Sequence, residues 1–222
     1  MTNHIGLVQT TNKEIYEQTL VDGSPVGKIG PIDINRFKDT MNYMVPGAAS
    51  LLDIGCFSGE WLNYVTRNRP SITRHLGIDV AENKIRIGKK LYPNLNLQTG
   101  FAEHLELPAE SFDIVTCLEA LEHIPDWLSV FNSLFRFAKM QVLITVPYSE
   151  KIINEVCIHC GKLTPQNGHL RSYTEDIFPK MPGWTVRFGK IRARDPQVSL
   201  KRKIYYFLKP HYHWLLADYR RS

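Results

Sequence analysis

The sequence has little that would tie it to an oxidising compartment or to a bilayer. Its four cysteines, at 56, 117, 157 and 160, are too few and too unevenly placed for a disulfide framework, which favours a reducing cytoplasm. No uncharged apolar run approaches the roughly 18 residues of a spanning helix. The opening MTNHIGLVQTTNKE carries neither the basic stretch nor the apolar core of a secretory leader, so the expected location is cytoplasmic. Neither G-x-G-x-x-G nor G-x-x-x-x-G-K-[ST] occurs, which removes the two commonest pyrophosphate-binding turns. Internal repeats and low-complexity segments are also absent. What remains, 43% hydrophobic and 22% charged residues over 222 positions, is the composition of an ordinary globule with one sizeable core.

Charge is unevenly spread. Residues 184–222 hold ten Lys/Arg against two Asp/Glu, whereas the whole chain is only +5, so the basic excess belongs to the C-terminal segment. Apolar runs alternate with helical patterns: SLLDIG (50–55) then 61–67, HLGID (75–79) then 81–92, LNLQTG (95–100), FDIVTCL (112–118) then 126–138, and QVLITVPY (141–148). This alternation predicts βαβ units, and hence an α/β, Rossmann-like doubly wound sheet with helices on both faces and a ligand at the carboxyl ends of its strands. Residues 1–45 are expected to form a helical cap or lid, with 21–33 as a flexible Gly/Pro-rich connection. The expected cofactor-binding core is 46–148, followed by a Cys/His-containing insertion over 149–175 and the last strands over 176–222.

The stretch SLLDIGCFSG (50–59) combines a buried-looking strand with an aspartate and two glycines. A glycine turn between strand and helix allows backbone to approach a ligand closely. Asp53, two residues before Gly55, would repel a pyrophosphate but attract an ammonium group, so the turn favours a zwitterion. Asp79 ends the next strand, 24 residues after Gly55, where a carboxylate can accept from both hydroxyls of a ribose.

These segments, with TGFAEHLELPAESFDIVTCLEALEHIPD and VLITVP, resemble the successive motifs of class I S-adenosylmethionine-dependent methyltransferases, the small-molecule type with an LEH segment, over about residues 48–148. The resemblance implies a sheet of about seven strands, mostly parallel with one antiparallel strand. It implies S-adenosylmethionine as cofactor, with S-adenosylhomocysteine as product. Asp53, Gly55, Cys56 and Gly59 would wrap the methionine part, Asp79 would take the ribose, and Val80, Ala102 and Glu103 would border the adenine. Cys117, Leu118 and Glu119 would lie under the methionine chain. Phe57 stands where the family has glycine, so the turn must keep a negative φ or strain a bulky residue. Phe101 replaces the aspartate that bonds the adenine amino group. His123 is the candidate for proton transfer, against the alternative that Glu122 and His123 only orient their helix. No Asp/Asn-Pro-Pro-aromatic element ends the fourth strand, which argues against nucleic-acid amino methylases, so the expected acceptor is a small molecule or glycoconjugate.

Two features lie outside the motifs. Cys157 and Cys160 form C-x-x-C-G with His169 nearby, an incomplete zinc site to which His211 or His213 could add a ligand; plain turn-forming thiols or a redox pair are the alternatives. In the same insertion Gly168, His169, Arg171 and Tyr173 are candidates for the acceptor site. WTVRFGKIRARD and KIYYFLKP read as the last two strands. The basic, aromatic C-terminus reads either as a packed edge with a solvated face or as a docking surface for an anionic membrane or polyanion.

Overall fold

The computed structural model describes residues 29–156, 163–194, 199 and 212–222. Helix α1 (Pro31–Met41) precedes β1 (Ser50–Ile54), α2 (Glu60–Asn68), β2 (Arg74–Asp79), α3 (Glu82–Leu91), β3 (Leu97–Thr99), β4 (Phe112–Leu118), α4 (Trp127–Phe137) and β5 (Ala138–Pro147). A small hairpin of β6 (Asn154–Val156) and β7 (Leu163–Pro165) follows, then β8 (Trp184–Ile191) and β9 (Trp214–Arg221). Seven strands form one sheet in the order β3-β2-β1-β4-β5-β9-β8. The pairs from β3 to β5 are parallel, and β9 runs antiparallel to both its neighbours. The order turns back between β1 and β4, so the crevice that a doubly wound sheet opens at its carboxyl edge lies above β1, β2 and β4.

Strand composition explains the layers. Leu51, Ile114, Leu143 and Leu216 face one apolar cluster, while Leu52, Val115, Val142 and Leu215 face the other, each pair being consecutive residues of one strand. The first cluster is closed by Phe37 of α1, Trp61, Leu62 and Val65 of α2, and Ile85 of α3. The second is closed by Val130, Phe131 and Leu134 of α4. Helices therefore cover both faces.

Local signals set the helix starts. Pro31 occupies the first turn of α1, where its missing N–H costs nothing, and the Asp126 carboxylate accepts from Ser129 N–H at 3.3 Å to cap α4. Helix α1 thus begins inside the stretch expected to be a flexible connection. The last strand also differs from expectation. KIYYFLKP (203–210) lies outside the described residues, and the antiparallel strand is WLLADYRR, whose Leu215–Tyr219 are buried between β5 and β8. A continuous apolar run suits a strand paired on both sides. Among the described residues no helix is long and apolar enough to cross a membrane.

The polar residues of this end of the chain are largely spent within the fold. Tyr219 is fully buried and donates its hydroxyl to the Pro179 carbonyl at 2.7 Å. Arg187 and Arg220 pair with buried Asp218, Lys190 with Glu175, and Arg221 with Glu110. The basic excess read from the sequence is thus mostly neutralised where it is described.

Candidate functional site

At the carboxyl edge of the sheet lies a cavity of about 550 Å³, within the size range of small-molecule sites. Its floor comes from the turn after β1. Gly55 has φ +75°, and a β-carbon there would lie 2.5 Å from the Ala120 side chain, so only glycine lets this turn and the turn after β4 approach each other. Gly59 (φ +90°) is the N-cap of α2, packed against Leu95 and Leu97; it shapes the turn but does not line the cavity.

Phe57 sits between them at φ +53°. The alternative of a negative φ is therefore not taken, and the ring is carried outward, 40% exposed, over Lys84 at 4.4 Å from its ammonium. A phenylalanine in the left-handed region costs about 1–2 kcal/mol. The same conformation aims its N–H at Asp79 Oδ2, 2.8 Å away, while Ala81 N–H donates to Asp79 Oδ1 at 2.9 Å. Two backbone donors from different turns therefore fix the Asp79 carboxylate at the cavity wall.

Asp53 is buried at the end of β1 and accepts from Thr116 Oγ1 at 2.6 Å. Burial pushes its carboxyl up to about 7; the Thr116 hydrogen bond opposes this, the charges of Asp79 and Glu60 add to it, and Arg36 counters them. Arg36, on α1, reaches the same cavity, and its Nε is buried with no hydrogen-bond partner among the described residues. Sequence reasoning missed this arginine, because nothing in the spacing of INRFKD distinguishes it from a surface charge.

Cys56, Val80, Ala102, Glu103, Leu118 and Glu119 also line the cavity. Cys117 does not: it points into the α4-side core and is fully buried, as the alternation of β4 requires when Leu118 faces the cavity. Burial also holds the thiols of Cys56 and Cys117 well above their ordinary range, which makes them inert.

Above the cavity, the 3₁₀ turn Leu121–His123 brings Glu122 and His123 beside Glu119. Burial raises both carboxyls, Glu122 well above the usual range with the Glu119 charge adding to it. Burial, with the neighbouring His169, lowers His123 to about 4, so its ring is neutral near pH 7. His123 lines the cavity, its Nδ1 lies 3.2 Å from the Gly168 carbonyl, and its ring meets His169 edge-on at 4.8 Å.

The described part of the insertion is thereby tied to this turn, and none of its described residues lines the cavity itself. Leu170 N–H donates to the Glu122 carbonyl at 2.8 Å, and Arg171 donates to the carbonyls of Leu121, Ile124 and Pro125. Tyr173 is fully buried against Trp127 and Phe178. Neither Arg171 nor Tyr173 lines the cavity; both are spent on docking the segment. Cys157, Cys160 and His211 lie outside the described residues. His169 binds Glu150 at 2.5 Å, and His213 accepts from Ala193 N–H at 3.2 Å.

Residues 33–217 match the methyltransferase-domain family. The chain is 32% identical over 121 residues to a ubiquinone biosynthesis O-methyltransferase of Pseudomonas fluorescens, covering 52% of this chain and 49% of that one. It is 31% identical over 106 residues to a demethylmenaquinone methyltransferase of Lysinibacillus sphaericus, covering 46% and 45%. The chain thus spans about half the length of the curated relatives it matches. Among solved structures it is similar to the phosphoethanolamine N-methyltransferase 2 of Haemonchus contortus in complex with S-adenosyl-L-methionine, with a TM-score of 0.66 at 16% identity over 95% of this chain and 60% of that one. The chain belongs to the methyltransferase-domain family and has the class I S-adenosylmethionine-dependent methyltransferase fold.

Proposed function

We propose that this chain transfers a methyl group from S-adenosylmethionine to a hydroxyl oxygen of a small-molecule acceptor. The observation that carries the reading is one cavity holding two carboxylates at adjacent strand ends, an arginine with an unsatisfied Nε, and apolar walls. This donor set matches the parts of the cofactor one by one. Asp79, whose carboxylate is fixed at the cavity wall by two backbone N–H groups, suits the two ribose hydroxyls. Asp53 suits the ammonium group and Arg36 the carboxylate of the methionyl end. Val80, Phe101 and Ala102 form the slot for the adenine, with Glu103 at its edge. Asp33, Arg36 and Phe37 bring helix α1 into the wall, which supports reading the N-terminal segment as a cap.

When bound, S-adenosylmethionine supplies a sulfonium-activated methyl group, which an acceptor oxygen takes with release of a thioether and of the oxygen's proton. The protein's task is alignment, desolvation and disposal of that proton. In the metal-free chain His123, which lines the same cavity with Nδ1 on the Gly168 carbonyl, is the candidate to take that proton through Nε2. An oxygen acceptor is favoured by the ubiquinone biosynthesis O-methyltransferase among the relatives.

Calorimetry with S-adenosylhomocysteine tests the cofactor half: micromolar binding to the wild type is expected, and its absence from folded protein sinks the reading. Incubation with S-adenosylmethionine and a panel of hydroxylated aromatic and sugar acceptors, followed by mass spectrometry, tests the transfer. Cofactor binding without any methylated product would reduce the protein to a binding module.

A further inference from the structure

We infer that Glu122, His123 and His169 form a binding site for a divalent first-row transition-metal ion at the roof of the cavity. One donor atom from each of the three lies within 4.8 Å of the others, although 45 residues of chain separate the two histidines. Two imidazoles and one carboxylate are the donor set of non-thiolate sites for ions such as Zn²⁺, Co²⁺ and Mn²⁺.

The surroundings are those of a ligand set. Gly168 O can only accept, so His123 Nδ1 carries the hydrogen there and the ring's lone pair is on Nε2. The Glu150 carboxylate imposes the same tautomer on His169 at 2.5 Å. An imidazole held through Nδ1–H by a carbonyl or carboxylate is the usual support of a metal-binding histidine. Glu122 is 1% exposed, and its Oε2 has no hydrogen-bond partner among the described residues. Glu119 Oε1, on the same turn, is buried in the same condition. Two such carboxylates side by side are costly in a folded protein unless something cationic joins them.

The site competes with the pairing suggested by sequence, in which His169 joins Cys157 and Cys160. The fold takes His169 to His123 through the Leu170 and Arg171 contacts with the turn after β4. Because His123 lines the cavity, an ion held there would face the acceptor and leave coordination positions for an oxygen donor. This last step rests on the methyl-transfer reading; the metal site itself does not.

The test is titration of the chelator-stripped full chain with Co²⁺ followed by visible absorption, and with Zn²⁺ by calorimetry. One equivalent should bind, with ligand-field bands and no sulfur-to-cobalt charge transfer. His169→Ala and the milder His169→Gln should each weaken binding at least tenfold, Glu150→Gln less, and the double change Cys157→Ser, Cys160→Ser not at all. Each variant is checked for fold by its S-adenosylhomocysteine affinity, which should stay within about twofold of the wild type. No metal uptake by the wild type, loss of uptake in the cysteine variant, or retained affinity in both His169 variants would each overturn the site. The cofactor titration separates the two readings: metal failure with intact cofactor binding leaves the methyltransferase proposal standing, and cofactor failure with intact metal binding does the reverse.

Discussion

The sheet treats the carboxylates at its cavity and those away from it in opposite ways. Toward the amino ends of the parallel strands, Asp113 accepts from Ala49 N–H, Ser50 N–H and Ser50 Oγ at 2.8–3.0 Å, and its carboxyl is lowered despite partial burial because these donors outweigh desolvation together. Asp218 is fully buried yet bound by Gln141 Nε2 at 2.6 Å, by Arg187 and by Arg220, and Gln141 in turn holds the Tyr43 carbonyl and Val45 N–H. At the carboxyl ends, Asp53, Glu122 and the Oε1 atom of Glu119 are buried with fewer donors, and all three carboxyls are raised. Away from the cavity the acids are satisfied and so support the fold. At the cavity they are left under-satisfied, at a cost in stability that a bound cationic group can offset.

The sharpest way to break this contrast is pH. Asp53 titrates at about 7 in the fold and near 3.8 unfolded. The folded state therefore binds the proton more tightly. The contribution of Asp53 is fully present below 3.8, falls as pH rises toward 7, and is gone above it. Across that window the apo protein should lose about 4 kcal/mol relative to Asp53→Asn, from roughly three pH units at about 1.4 kcal/mol each. Urea unfolding of both proteins at pH 4.5 and 8 should capture about 3 kcal/mol of this, and parallel pH profiles would refute it. Asp79, Glu60 and Arg36, the charges that act on Asp53, are unchanged in the comparison.

Away from the cavity, Asp218→Ala should cost about 3 kcal/mol, since it strands the Gln141 amide and two arginines. Thermal melts should show the drop, while the affinity of the remaining folded protein for S-adenosylhomocysteine should not change. A fall in affinity would mean that the two groups of acids are coupled.

Asp79→Ala inverts that pattern. Losing charge-assisted hydrogen bonds to two hydroxyls should weaken S-adenosylhomocysteine about tenfold to 100-fold by calorimetry. Stability should fall by only about 1 kcal/mol, from the contacts with Phe57 and Ala81 N–H. Equal affinity in the variant would remove the ribose assignment.

How much of this was legible in the sequence depends on how local the signal is. The β1 turn, the strand-end acids and the alternation of strands and helices are encoded within a few residues of one another, and the parallel half of the sheet matches the expected segments to within a few residues. The strand WLLADYRR was not singled out because its apolar run is no stronger than that of KIYYFLKP, which lies outside the described residues, and its pairing with both β5 and β8 is set by the fold. Arg36 depends on how α1 packs across the carboxyl edge, and a single helix's pattern does not carry that. Sequence distance groups His169 with Cys157 and Cys160, which lie outside the described residues. Its partner in the fold, His123, lies across the insertion, where Arg171 and Leu170 set the approach.

Phe57 offers the smallest effect and the finest test of what the site end tolerates. At φ +53° any β-carbon is strained, so the cost belongs to the backbone and the ring's contact with Lys84 recovers part of it. Phe57→Ala keeps the strain and removes the ring, whereas Phe57→Gly removes both. Glycine should therefore be the more stable variant by about 1 kcal/mol, reversing the order these two residues show in a helix. The N–H to Asp79 survives in either, so both variants should bind S-adenosylhomocysteine like the wild type. If alanine proved the more stable, the turn would have relaxed to negative φ, the bond to Asp79 would have gone with it, and affinity would fall in step. The sign of the Gly-to-Ala difference thus reports whether the strain at this residue serves to hold the ribose-facing carboxylate.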